Sequence, residues 1–294
     1  MTDAAMTMPT DIKNNSIEAS SSGERHLVIE PGRLDRNYWA DVWAYRELFI
    51  VLAWRDVAVR YKQAALGAAW AVLRPLIAVF ILTIIFGRVA QLPAEPGVPY
   101  AVMVYAGMLP WMLISTILND ASNSLVGNAN MISKIYYPRI VTPAASAVVS
   151  LVDFAISFVV FCLMMAAFLY VPSWKIVFLP VFVVYAVAMA LGPALYLASL
   201  NVRYRDFRFI VPFVVQFGLY VSPVGFSSAV VPEGWRLLYS LNPAVSAIDG
   251  FRWAVLGGKI WWPGFALGLA VTALMLWGGV RAFRRTERSF ADYI

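Results

Sequence analysis

Six long apolar runs, each bounded by charged or turn-forming residues, leave this sequence few folds to choose from. They cover about 66–89, 100–117, 141–170, 176–200, 209–226 and 262–283. A hydrocarbon crossing needs roughly 20 apolar residues, and inside lipid the backbone must satisfy its own hydrogen bonds, which leaves helices or closed barrels. The expectation is an all-α integral membrane protein with six transmembrane helices, forming a transmembrane domain over 66–283. Composition agrees, since 61% of the 294 residues are hydrophobic and 14% charged. A soluble domain is about half apolar and about a quarter charged.

The net charge is +6, but the basic residues flank the apolar runs, as determinants of membrane orientation do. Contact with membrane lipids is therefore expected and nucleic acid is not. With the N-terminus inside, the inner side carries Arg55, Arg60, Lys62, Lys134, Arg139, Arg203, Arg205, Arg208, Arg281, Arg284, Arg285 and Arg288. The outer side carries only Arg88, Lys175, Arg236, Arg252 and Lys259. This excess follows the positive-inside rule and puts both termini in the cytoplasm. Residues 1–36, polar and serine-rich, read as a disordered cytoplasmic tail. Residues 284–294 read as a cytoplasmic tail, and no secretory signal is evident.

Two segments read as helical without spanning. Over 37–65, Trp39, Val42, Trp43, Ile50, Trp54, Val57 and Tyr61 share a face at helical spacing, opposite Asp41, Arg55 and Lys62. That pattern predicts an amphipathic helix at the cytoplasmic interface, with tryptophans at headgroup depth. Residues 227–260 are apolar but broken by Pro232, Gly234, Pro243, Gly250, Gly257 and Gly258. Each piece is too short to cross, which predicts two short re-entrant helices before the last span, forming an outer gate.

Chemistry is scarce. Cys162 and His26 are the only cysteine and histidine, so disulfides, Cys/His metal sites and histidine triads are excluded. No G-x-x-x-x-G-K-[ST] loop occurs, so any energy comes from a partner or a gradient. Within the runs the ionisable residues are chiefly Arg74 and Asp153, which are either functional or paired to fix helix register. The connection Asn123–Pro138 carries Met131, Ile132, Ile135, Tyr136 and Tyr137 as an apolar stripe at helical spacing, a candidate for docking in a partner's groove. A tight basic turn, Asn201–Arg208, is a weaker one.

The run Trp54, Arg55, Asp56, Val59, Arg60, Tyr61, Lys62, Gln63, Leu66, Gly67, Trp70, Leu73, Pro75 resembles the membrane-domain signature of type 2 ABC exporters for polysaccharides. These are the O-antigen, capsule and teichoic acid export permeases. Lys134, Tyr137, Pro138 and Arg139 match further, as do Val202 to Asp206, the Ser222–Pro223 pair, and Leu241, Asn242 and Pro243. The resemblance implies a homodimeric permease in a bacterial inner membrane, joined to two separate ATP-binding subunits. ATP and magnesium would bind in those subunits, and this chain would carry no cofactor and catalyse nothing itself. The cargo would be a lipid-linked polysaccharide on undecaprenyl diphosphate, moved from the cytoplasmic to the outer face.

On that reading Arg55, Arg60, Lys62 and Arg203 are candidates to receive the diphosphate, with Arg74 farther along. Met131, Ile132, Lys134, Ile135, Tyr136, Tyr137, Arg139, Arg205 and Asp206 are candidates for ATPase docking. Tyr105, Trp111, Tyr220, Trp235, Tyr239, Phe251 and Trp253 are candidates for the outer gate or glycan path, because aromatic faces stack on sugar rings. An ion-coupled secondary transporter and a channel or scaffold subunit remain the alternatives.

Overall fold

A computed structural model describes residues 38–62, 67–204, 206–287 and 290, with the side chains of 67–69 and 71 left aside. The tail expected over 1–36, and Arg205 and Arg288, lie outside the described residues. Among those described, all regular structure is helical. In chain order the α-helices are α1 (Tyr38–Ala44), α2 (Arg46–Lys62), α3 (Gly67–Leu82), α4 (Tyr100–Gly127), α5 (Ala129–Ile132) and α6 (Val141–Ala167). Then follow α7 (Leu179–Arg203), α8 (Phe207–Val221), α9 (Glu233–Tyr239), α10 (Pro243–Leu256) and α11 (Trp262–Thr286).

Five stretches are long and apolar enough to cross a membrane: Val72–Val89, Tyr100–Gly127, Val141–Ala167, Trp174–Arg203 and Trp262–Thr286. The first of them continues α3 through a π-helical segment, Thr83–Val89. The remaining run forms α8, of 15 residues, which at 1.5 Å per residue is about 22 Å long, short of the roughly 30 Å hydrocarbon core.

The second run is longer as a helix than as an apolar stretch. It continues past Ile117 to Gly127, where Ala121, Ser122, Ser124 and Leu125 are buried and the polar side chains bond back to the helix's own carbonyls instead of going unpaired. Asn119 Nδ2 donates to the Ser115 carbonyl at 2.8 Å and Asn123 Nδ2 to that of Asn119 at 2.8 Å. This helix is the axis of the bundle: 72% of its apolar window is buried, against 17% for the first span and 22% for the last. Around it pack α6, α7 and α10, with Tyr105, Leu109, Ile114, Phe161, Ala190, Ile248 and Phe251 in the main core.

A smaller core lies apart from the main one. Leu52 and Ala53 of α2 meet Leu125, Ile132, Tyr137, Ile140, Leu195, Val202, Phe283 and Phe290 there. The two N-terminal helices, the α4–α6 connection and the chain beyond α11 are thus bound together at one end of the bundle.

The helix expected over 37–65 is divided at Tyr45 into α1 and α2. Its packed side is not the tryptophan side. Tyr45, Leu48, Phe49, Leu52 and Ala53 face the small core, while Trp39, Trp43, Ile50 and Trp54 are exposed. Both sides of this helix are apolar, and only one of them packs on a core formed by the described residues.

The segment 227–260 contains two short helices, α9 and α10. They differ in burial: α9 exposes Trp235, Leu237 and Leu238, whereas most of α10 is buried among α4, α7 and α11. The Leu241–Asn242–Pro243 motif builds the start of α10. Asn242 Oδ1 accepts from the Ala244 N–H at 3.1 Å and Pro243 takes the first turn, where its missing donor is not needed. Asn242 Nδ2 also donates to Ser222 Oγ at 3.0 Å, so the Ser222–Pro223 motif after α8 and the cap of α10 hold each other.

Candidate functional site

Where the last turn of α2 reaches α4 and α6, a cavity of about 300 Å3 is lined by Arg60, Tyr61, Trp70, Arg74, Met112, Thr116, Ser150, Asp153 and Phe154, among others. Arg60 is its electrostatic centre. Nη1 lies 2.8 Å from Asp120 Oδ2, on α4, and Nη2 lies 3.1 Å from Asp153 Oδ2, on α6. Tyr61 donates its hydroxyl to the other oxygen of Asp153. Burial, and then the Asp153 carboxylate, raise the pKa of that hydroxyl, so it stays a donor. Arg74, on α3, lines the same cavity and makes no hydrogen bond or ion pair among the described residues. One cation is therefore held by two carboxylates while a second stands uncommitted beside it.

Asp153 thus pairs with Arg60 and Tyr61 and not with Arg74, the pairing that would only have set register. Asp120 was missed because it follows the end of the apolar run, and only the continuation of α4 brings it to Arg60. A signal was present in the apolar and small residues Ala121, Leu125 and Val126, which carry helical spacing on past Ile117.

The other cations named for a diphosphate lie elsewhere. Arg55 bonds Asp56 Oδ1 at 2.7 Å and Asn128 Oδ1 at 2.7 Å, which ties α2 to the residue before α5. Lys62 is exposed at the end of α2. Arg203 ends α7 with its guanidinium 5.3 Å from the centroid of the Tyr204 ring.

The stripe proposed for docking divides. Helix covers only Ala129–Ile132. Ile132 and Tyr137 are 5% and 3% exposed, in the small core, whereas Ile135 and Tyr136 are 55% and 61% exposed. Tyr137 shares a 2.8 Å hydrogen bond with Thr142, Met131 is half-buried, and Lys134 is exposed. Arg139 is occupied internally. Its backbone N–H donates to Glu287 Oε1 at 2.6 Å and its guanidinium to the Glu287 carbonyl. Tyr38 donates to the same carboxylate at 2.9 Å. Burial pushes the Glu287 carboxyl up, against those hydrogen bonds, which lower it. Asp206 is exposed immediately before α8.

At the opposite end, Tyr105 and Phe251 are in the main core and Trp111 is buried against Gly218 of α8. Tyr220 and Trp235 are exposed, Trp253 and Tyr239 half-buried. Arg252 was counted as an outer-side charge but is 2% exposed. It donates to the carbonyls of Met103 at 3.3 Å, Phe226 at 2.8 Å and Val224 at 2.8 Å. One guanidinium thereby pins the segment following α8 to α4 and α10. A basic residue among apolar neighbours gives no sign in sequence of such a role.

The family model described as ABC-2 type transporter matches residues 47–256. This chain belongs to the ABC-2 type transporter family. The matched range begins in α2 and ends with α10, so it contains the Arg60 cavity and the Arg252 clamp. The O-antigen export system permease protein RfbA of Myxococcus xanthus is 27% identical over 258 residues, covering 86% of this chain and 98% of that protein. Two proteins of the same name from Klebsiella pneumoniae are each 24% identical, covering 84% of this chain and 95% of theirs. The chain is a multi-pass transport subunit.

Proposed function

We propose that this chain is the membrane half of an ATP-driven exporter that moves an O-antigen-type polysaccharide, attached to undecaprenyl diphosphate, from the cytoplasmic to the outer face of a bacterial inner membrane. Two copies form the permease and each joins one ATP-binding subunit. The carrying observation is the nearly end-to-end match to three permeases named for O-antigen export. A conventional ATP-binding loop is missing from the sequence, which fits hydrolysis by a separate polypeptide.

On this reading α8 is a short fifth span, making six, and both termini are cytoplasmic. The exposed tryptophans of α1 and α2 lie at headgroup depth, where indole rings favour one apolar and one wet side. Helices α9 and α10 enter from the outer face, and α9 forms the movable part of the gate because it exposes Trp235, Leu237 and Leu238 while most of α10 is buried.

A diphosphate cannot enter hydrocarbon without counter-charge. Arg74 supplies one cation, and Arg60 supplies another when the phosphates replace Asp120 and Asp153 as its partners, which exchanges one set of charge-assisted hydrogen bonds for another. The release of α2 from α4 and α6 that this exchange entails would couple loading to movement of the interface helix.

The same acidic pair is the observation favouring a rival reading, ion-coupled secondary transport. Purification from native membranes, followed by transport assays in vesicles, separates the two. The exporter reading expects a co-purifying ATPase and uptake of lipid-linked polysaccharide only with hydrolysable ATP. Transport by the chain alone under an ion gradient, without nucleotide, would overturn it.

A further inference from the structure

A second cavity, of about 700 Å3, lies between the loop before α4 and helices α9, α10 and the start of α11. That volume is in the range of small-ligand sites, about 300–1,000 Å3. Its wall combines Glu95 and Asp249, Arg236 and Lys259, and the rings of Tyr239, Trp253 and Trp261. Arg236 is engaged with Glu233 at 3.6 Å and with the Val231 carbonyl at 3.0 Å. The side chains of Glu95 and Lys259 make no hydrogen bond or ion pair among the described residues.

Two further features mark a site that awaits polar partners. The Tyr239 hydroxyl is buried and has no hydrogen-bond partner among the described residues, a costly condition unless something completes it. The Asp249 carboxylate accepts from Ser228, which uses one of its roughly four acceptor positions. Glycine shapes the far wall: Gly257 ends α10 with φ +79°, and a Cβ on Gly258 would stand 2.9 Å from the Glu95 carboxylate. Trp261 is 41% exposed, an indole available at the rim.

We propose that this cavity binds one or two pyranose residues of the exported glycan, with a sugar face on Trp261 and ring hydroxyls bonded to Asp249, Glu95 and Tyr239. An acyl chain would strip two carboxylates and a phenol of water without returning a hydrogen bond. A phosphate would gain Lys259 but would meet Glu95 and Asp249 as like charges on the same wall. A neutral ring bearing hydroxyls donates and accepts, and so suits a wall with charges of both signs. The inference rests on the export reading and adds to it a holding point inside each protomer, distinct from the Arg60 cavity.

The test uses the full chain with its ATP-binding subunits in nanodiscs. The probe is the host's own surface polysaccharide, freed of lipid and cut to one- and two-repeat oligosaccharides, with binding read by saturation-transfer NMR. Saturable binding is expected, weakened about tenfold in Asp249→Asn, Tyr239→Phe and Trp261→Ala. Trp277→Ala, on an exposed part of α11 away from the cavity, should bind as the parent does. Tyr239→Phe removes a single oxygen, which keeps the test clear of misfolding. No saturable binding, or an affinity in the three cavity variants equal to that of the parent protein, overturns the proposal. Deleting the chain's gene tests the export reading separately, because surface polysaccharide that persists without it would refute that reading whatever the oligosaccharides do.

Discussion

The Arg60 guanidinium lies 2.8 Å from the Asp120 carboxylate, fastening the last turn of α2 to α4. Asp153 holds the same guanidinium at 3.1 Å from α6, so three helices meet on one cation. Removing that cation leaves two carboxylates facing each other near hydrocarbon, where a charge costs roughly 3 kcal/mol.

Arg60→Ala is accordingly expected to reduce surface polysaccharide at least about tenfold. Adding Asp120→Asn to Arg60→Ala relieves the repulsion and should restore assembly with the ATPase without restoring export. Gel analysis of surface polysaccharide and co-purification of the complex report the two effects separately. Full export by the double variant would reduce Arg60 to a structural tie.

Arg252 performs a different task, since its three acceptors are backbone carbonyls rather than carboxylates. Arg252→Met keeps most of the volume and leaves those carbonyls without their donor, at about 1–3 kcal/mol for each that stays dry. The melting temperature of the detergent-purified protein should fall by several degrees. Arg252→Lys should lie between, because an ammonium has no planar fork to reach separate acceptors. Equal melting of Arg252→Met and the parent protein would mean that water readily reaches the carbonyls of Val224 and Phe226.

Helix positions were largely legible from sequence because apolar length is a strong and additive signal. Five of the six runs fold as stretches long enough to cross a membrane, and Pro232, Pro243 and Gly257 bound the two short helices of 227–260, whereas Gly234 and Gly250 lie inside them. The ends were less legible where polar side chains bond to their own helix, as at Asn119 and Asn123. Least legible was the fate of the charges. Arg60, Arg139 and Arg252 look alike in sequence as flanking basic residues, yet one pairs with two carboxylates, one binds the chain end at Glu287, and one is buried on carbonyls. Which of these occurs depends on contacts between residues 26 to 149 positions apart, which local pattern does not encode.

Ile135 and Tyr136 stand exposed between the buried Ile132 and Tyr137. A carboxylate at either exposed position has water to solvate it, so Ile135→Asp and Tyr136→Asp should leave folding intact while weakening attachment of the ATP-binding subunit. The expected loss is about tenfold or more in co-purified ATPase, the scale of removing a central apolar contact from an interface. The same substitution at Ile132 buries a charge and should abolish folded protein instead. Undiminished co-purification and stimulated ATP hydrolysis in both exposed variants would remove this surface from consideration.

Helices α7 and α11 cross at glycine. A Cβ on Gly279 would sit 2.0 Å from the Gly192 carbonyl oxygen, and one on Gly192 would sit 2.7 Å from the backbone at Met275 and Leu276. Close approach of this kind lets membrane helices gain dispersion contact without a hydrophobic driving force. The next residue back, Gly278, has nothing within 4 Å of its would-be Cβ. Alanine there should therefore be neutral or raise stability by up to about 1 kcal/mol through helix propensity. Alanine at Gly279 must push backbone against backbone, and should lower both the yield of monodisperse protein and its melting temperature by several degrees. Because the two substitutions are chemically identical and adjacent, propensity cannot separate them. Equal melting temperatures for Gly278→Ala and Gly279→Ala would show that the α7–α11 crossing is looser than the glycine contact requires.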